Sequence, residues 1–303
     1  MIKDYRIIAA TTLTNAEIGG YYPTSHAALA SIQKNSFIDK VIVAEGFSTD
    51  RTVELHKNIS SKIEFLSQKK WDFNEWGWRN LYDQYDVIYE YCREKEDKCI
   101  LIYHASDQVW TDDYAQEMEK ALTDLIESNK DFFLVPFCKT INYEFRTKVY
   151  DLMPNFYLHS AVKFEPDRKW TGVRGPDGME STKGENTLVG EKNPERLNYR
   201  FGSFPISYDM FMFKREHLQH KINRYGRAEG SVAVQAGPPW PENLDEYITQ
   251  IWLKKVISLH PAKLTLLDHP VEMRTVISSH LTEEHFGFNC FDHLAQQIGL
   301  GIV

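Results

Sequence analysis

Apolar positions along this chain follow two patterns that take turns. Short, near-continuous runs, Arg6–Leu13, Val41–Ala44, Lys62–Leu66, Cys99–Tyr103 and Phe132–Phe137, carry many β-branched residues. Such runs predict strands buried on both faces. Between them, apolar residues recur at helical spacing. Ala28, Leu29 and Ile32 do so in Ser25–Asn35, with Thr24 or Ser25 as the cap. A long amphipathic segment ends near Glu96, and Tyr114, Met118, Ala121, Leu122 and Leu125 share one face of a helix capped by Asp112 or Asp113. Strand, helix and strand at this spacing predict βαβ units and a parallel sheet, hence an α/β chain.

From Cys138 to about Tyr208 the pattern dissolves into an irregular segment rich in Gly, Pro, Lys and Glu. A short strand, Ser207–Lys214, and a break at Gly237–Pro241 lead to a helix that starts at Asn243. That helix carries acids in its first turn and Leu244, Tyr247, Ile248, Ile251, Trp252 and Val256 on one face. Lys263–Leu267 and Val271–Ile277 are strand-like runs, and no internal repeat is visible.

The polar residues that interrupt these runs carry the candidate chemistry. In open α/β sheets ligands bind beyond the carboxyl ends of the strands. Glu45 stands at the end of the second run, and Ser48, Thr49 and Asp50 after it are good caps for a short helix, Val53–Ile59. Asp107 follows the fourth run, with His104 just before it as either a metal helper or a packed neutral side chain. An aromatic stretch, Trp71–Asn80, precedes the long amphipathic segment and ends in Arg79-Asn80. An arginine there can grip two phosphate oxygens with its planar fork.

In this order the stretches resemble the motifs of family 2 glycosyltransferases of the GT-A fold. The family's second strand ends in an acid pair followed by Gly-Ser-Thr-Asp-Gly-Thr; here Glu45 is the first acid, Gly46 replaces the second, and Ser48, Thr49, Asp50 and Thr52 stand as expected. Phe47-Ser48-Thr49-Asp50 and the aromatics before Arg79-Asn80 are similar to the lipopolysaccharide-core branch. The resemblance implies a Rossmann-like GT-A domain over residues 1–303, with a mixed, mostly parallel sheet flanked by helices. Residues 1–135 would form the nucleotide-sugar-binding half and residues 136–303 the acceptor-side half.

It also implies roles. Thr11, Leu13 and Glu45 would lie by the nucleotide, and Arg79, Asn80 and Asp107 by the diphosphate. The family's Asp-x-Asp motif falls on Ala105 to Asp107, so the first acid is lost and Asp107 remains to hold Mn²⁺ or Mg²⁺, with His280 as a late metal ligand. Hard divalent ions take oxygen ligands and neutralise a leaving diphosphate. Asp245 or Glu246, which with Tyr247 match the family's acidic pair before an aromatic, or else Asp177, would be the catalytic base. The implied activity is transfer of a sugar, with inversion, from a UDP-, GDP- or dTDP-sugar to a glycan or other hydroxyl-bearing acceptor. Two alternatives share the fold. One is a non-catalytic binder of nucleotide sugars or carbohydrates, in keeping with Ala105. The other is a sugar nucleotidyltransferase, though Ala9–Asn15 lacks the Gly-rich, Arg-bearing loop that cradles a triphosphate.

Composition narrows the field. With 42% hydrophobic and 26% charged residues the chain is an ordinary globular protein. A net charge of −8 weighs against a nucleic-acid acceptor, because backbone affinity comes from Lys and Arg. No apolar run approaches the roughly 20 residues that span a bilayer. There is no signal-like leader and no closely spaced cysteine pair, so the expected location is the cytoplasm.

Overall fold

The computed structural model describes residues 2–19, 21–67, 87–96, 98–135, 139–141, 149–150, 159–164, 169–170, 181–183, 186–187, 196–208, 267 and 269–281. Its main sheet has the order β3-β2-β1-β4-β9-β6. The strands are β1 (Arg6–Leu13), β2 (Lys40–Glu45), β3 (Ile63–Ser67), β4 (Cys99–Tyr103), β6 (Phe132–Val135) and β9 (His159–Phe164). β3, β2, β1 and β4 are parallel neighbours, whereas β9 runs antiparallel to both β4 and β6. This is the mixed, mostly parallel α/β sheet that the GT-A resemblance implied.

Both faces of the central strands are covered, which is why their sequences are apolar without alternation. On one face Ile7, Ala9, Val41, Val43, Ile100 and Ile102 pack with Leu29 and Ile32 of α1 (Tyr22–Gln33) and Met118, Leu122 and Leu125 of α4 (Asp112–Glu127). On the other, Ile8, Ala10, Ile42, Leu101 and Tyr103 pack with Ile88, Tyr89 and Cys92 of α3, described over residues 87–95. Each fully buried Leu or Ile contributes roughly 1.5–3 kcal/mol. The surface ion pair Lys34–Asp112 that also links α1 to α4 is worth at most about 1 kcal/mol, so the apolar layer holds the helices in place.

Local chemistry sets the helix ends, in places differently from the expectation. α1 begins at Tyr22 with Pro23 in its first turn, so Thr24 and Ser25 are inside the helix and buried rather than capping it. Thr111, not Asp112 or Asp113, caps α4: its side chain accepts from the Tyr114 amide, and the two acids occupy the first turn. At the far end of α1, Lys62 Nζ donates to the Gln33 and Asn35 carbonyls at 3.1 and 2.9 Å. A cation there complements the negative helix end.

Two expectations fail. Val271–Leu281 is a helix, α5, and not a strand; Pro270 precedes it and its carbonyl accepts from the Met273 and Arg274 amides. The segment 138–208, read as irregular, contains β9 inside the main sheet. It also contributes β7 (Lys139–Ile141), β8 (Val149–Tyr150) and β13 (Ile206–Ser207), which join β5 (Gln108–Val109) in a second sheet of order β5-β13-β7-β8. A third small sheet is built of β10 (Lys169–Trp170), β11 (Ser181–Lys183) and β12 (Asn186–Thr187). The expected helix from Asn243 and the run Lys263–Leu266 lie outside the described residues.

Candidate functional site

The carboxyl edge of β2, β1 and β4 gathers the polar residues singled out by the sequence. In the parallel register Glu45 is level with Leu13, and Tyr103 with Ala10; the His104 amide then donates to the Ala10 carbonyl at 3.1 Å. Glu45 and the turn holding Asp107 therefore leave the same edge of the sheet, with β1 between them. Two interstrand spacings separate their strands by about 10 Å.

The loops after β1 and β2 are bolted together by the residues of the second-strand motif. Ser48 Oγ accepts from the Asn15 amide at 2.8 Å, Asn15 Oδ1 accepts from the Thr49 amide at 2.8 Å, and Thr52 Oγ1 accepts from the Ala16 amide at 2.7 Å. Asp50 accepts from the Ile18 amide at 2.9 Å through Oδ2 and from the Thr52 amide at 2.9 Å through Oδ1. The N-cap of α2 (Thr52–His56) is Arg51, without a side-chain cap bond, so Asp50 is not the cap: it stands one residue earlier and divides its carboxylate between the first helical amide and the neighbouring loop. Arg51 and Glu17 pair across the same seam, and Arg51 holds the Glu17 carboxyl below its ordinary value. Gly19 lies so close that an added Cβ would sit 2.8 Å from the Asn15 carbonyl oxygen.

Glu45 is 8% exposed, and its Oε1 accepts from the Ser48 amide, so this acid also braces its own loop. Thr11 and Leu13 are both buried, Leu13 in the core layer under α1. Phe47 and Ile18 are exposed, one on each clamped loop.

On the other side of β1, His104 is buried, and burial pulls its imidazole down to about 4 against the opposing hydrogen bond to the Ala105 carbonyl. Nδ1 lies 3.0 Å from that carbonyl and so carries the proton, leaving Nε2 bare and without a hydrogen-bond partner. His104 is thus a buried, neutral imidazole. Asp107 is half-buried; its Oδ2 accepts from Ser207 Oγ at 2.7 Å, and its carbonyl accepts from the Tyr208 amide at 3.2 Å. Ser207 was not foreseen as a site residue. It stood in the sequence only as the start of a strand, and nothing local ties it to a residue a hundred positions earlier.

Among the described residues no group of three His, Cys, Asp or Glu side chains forms a metal cage. The donor set fits a divalent ion of the other kind, held by one or two carboxylates, water and the phosphates of a substrate. Asp107 is a carboxylate of that kind, and Ala105 stands two positions before it. Arg79, Asn80, Asp177, Asp245 and Glu246 lie outside the described residues. The backbone of His280 belongs to α5.

No protein-family model matches the chain, and no curated protein does. Solved structures similar to it include 4-diphosphocytidyl-2C-methyl-D-erythritol synthase from Anaerococcus prevotii, at 10% identity and TM-score 0.34 over 52% of this chain and 71% of that one. Glucosyl-3-phosphoglycerate synthase from Mycobacterium tuberculosis, in complex with Mn²⁺, UDP and phosphoglyceric acid, is 14% identical with TM-score 0.31 over 46% of this chain and 44% of that one. S. aureus TarS in complex with UDP-GlcNAc is 16% identical with TM-score 0.32 over 46% and 36%. The match thus spans less than half the length of the latter two. At these scores the likeness bears on neither the site nor its chemistry.

Proposed function

We propose that the chain is a glycosyltransferase that moves a sugar, with inversion, from a nucleotide-sugar donor to an acceptor hydroxyl with the help of Mn²⁺ or Mg²⁺. The observation that carries this reading is that Glu45 and Asp107 follow the carboxyl ends of β2 and β4 on one edge of the sheet, beside two loops locked together by Asn15, Ser48, Thr49, Asp50 and Thr52. Loops fixed in this way present backbone groups and Glu45 to a nucleotide with little ordering left to do on binding. Asp107, with phosphate oxygens and water, would hold the divalent ion, which neutralises the departing diphosphate. Arg79 would add a second positive group there. Asp245 or Glu246, or else Asp177, would take the proton of the acceptor hydroxyl as it attacks the anomeric carbon. The 1–303 span is proposed as one such domain working in the cytoplasm; among the described residues no helix is long and apolar enough to cross a membrane.

Release of nucleoside diphosphate from a panel of UDP-, GDP- and dTDP-sugars, with and without Mn²⁺ or Mg²⁺, tests the proposal. One donor should be turned over in a metal-dependent way, and Asp107→Ala should lower that turnover by at least about a hundredfold, the scale of losing a main electrostatic group. Unchanged turnover and metal dependence in Asp107→Ala would refute the assignment. Ala105 favours one second reading, a nucleotide-sugar binder without catalysis; it predicts donor binding with no diphosphate release under any metal.

A further inference from the structure

We infer that Ser207 is the positioning residue that aims Asp107; the inference rests on the reading of Asp107 as the metal-holding acid. Asp107 sits in a turn between β4 and β5, where a carboxylate on its own would sample several rotamers. Ser207 is 4% exposed, and its hydroxyl donates to Asp107 Oδ2 at 2.7 Å, the length of a sound O–H···O⁻ bond.

The next residue fixes the main chain of the same turn, since the Tyr208 amide donates to the Asp107 carbonyl at 3.2 Å. β13 itself is held from several sides. It pairs antiparallel with β5, Ser207 opposite Gln108, and parallel with β7. The buried phenol of Tyr208 lies 3.0 Å from Nδ1 of buried His269, whose carbonyl accepts from Arg274 Nε of α5 at 2.7 Å. Met273 of α5 packs with Val109, Ile206 and Tyr208. Ser207 therefore delivers its hydroxyl from a rigid support, and Asp107 receives both a side-chain and a main-chain restraint from one dipeptide.

Groups that hydrogen-bond a ligating carboxylate set its direction, and their loss costs about 10- to 100-fold in metal affinity. The restraint has particular weight here because Ala105 leaves one acid where two would share the ion.

The test follows free Mn²⁺ by electron paramagnetic resonance during titration of the full chain in the presence of UDP. UDP affinity without metal is measured separately by calorimetry. Wild type should bind Mn²⁺, and Asp107→Asn should abolish it. Ser207→Ala should weaken Mn²⁺ by about tenfold with metal-free UDP affinity unchanged, and Ser207→Thr, which keeps the hydroxyl, should match wild type. If Ser207→Ala does not fold, Ser207→Cys, close in size and only a weak donor, takes its place with the same expectation. Wild-type Mn²⁺ affinity in Ser207→Ala, or an equal loss of Mn²⁺ and metal-free UDP binding, overturns the inference while Asp107→Asn still shows the metal reading to be sound. Mn²⁺ binding by Asp107→Asn at wild-type strength, or none by wild type, defeats that reading and the inference with it.

Discussion

Phe47 is held at φ 53°, in the left-handed region, and is 45% exposed on the loop that follows Glu45. A bulky side chain rarely adopts this backbone, which costs an L-residue about 1–2 kcal/mol. Glycine escapes that cost. Phe47→Gly should therefore be more stable to urea than Phe47→Ala by on the order of 1 kcal/mol, the reverse of the usual order at an ordinary position. Equal stabilities, or an advantage for alanine, would show that the loop relaxes out of this conformation. Asn15 shares the left-handed region at φ 48°, but asparagine tolerates it, and its side chain is spent on the Thr49 amide. Residues at strand tips were legible in the sequence because an acid that ends an apolar run stands out locally. Side-chain burial was not: Thr11 and Leu13 are buried because β1 is covered on both faces, and Glu45 is drawn back to the Ser48 amide, facts that depend on packing and loop closure.

At the scale of elements, α2 is docked on α1 through a buried histidine. His56 Nδ1 donates to the Thr52 carbonyl at 2.6 Å, leaving Nε2 to accept from Ser25 Oγ at 2.8 Å, with Tyr22 edge-on to its ring. Burial holds His56 at about 4, and His104 likewise, against an ordinary value of 6.5. Both are neutral when folded, the unfolded chain takes up protons first as pH falls below 6.5, and stability is lost down to about pH 4, with none of this loss above 6.5. Each group accounts for on the order of 3 kcal/mol at the lower limit. The urea midpoint should fall steeply between pH 6.5 and 4.5, and His56→Gln should flatten part of the slope. A flat profile in both proteins would contradict the buried, neutral assignment. The parallel strands and α4 were readable because long periodic runs report their own burial. β9 was not, for His159–Phe164 is short, contains Lys163 and becomes central only when β4 and β6 close around it. α5 was misread because Val271–Ile277 is apolar enough for either element, and Pro270 at its start decides for the helix.

For the whole molecule, the net charge of −8 argues against a polyanion held by basic groups. β13 of the second sheet joins the Asp107 turn, through Ser207, to His269 just before α5, through Tyr208. The central claim is that Glu45 and Asp107 face one crevice fitted to a nucleoside diphosphate and its metal. Calorimetric titration of UDP, GDP and dTDP with Mn²⁺ into wild type, Glu45→Ala and Asp107→Ala measures this most directly. One nucleotide should bind wild type in a metal-dependent way and bind each variant at least about tenfold more weakly; binding by none of the three, or equal binding by wild type and both variants, would contradict it.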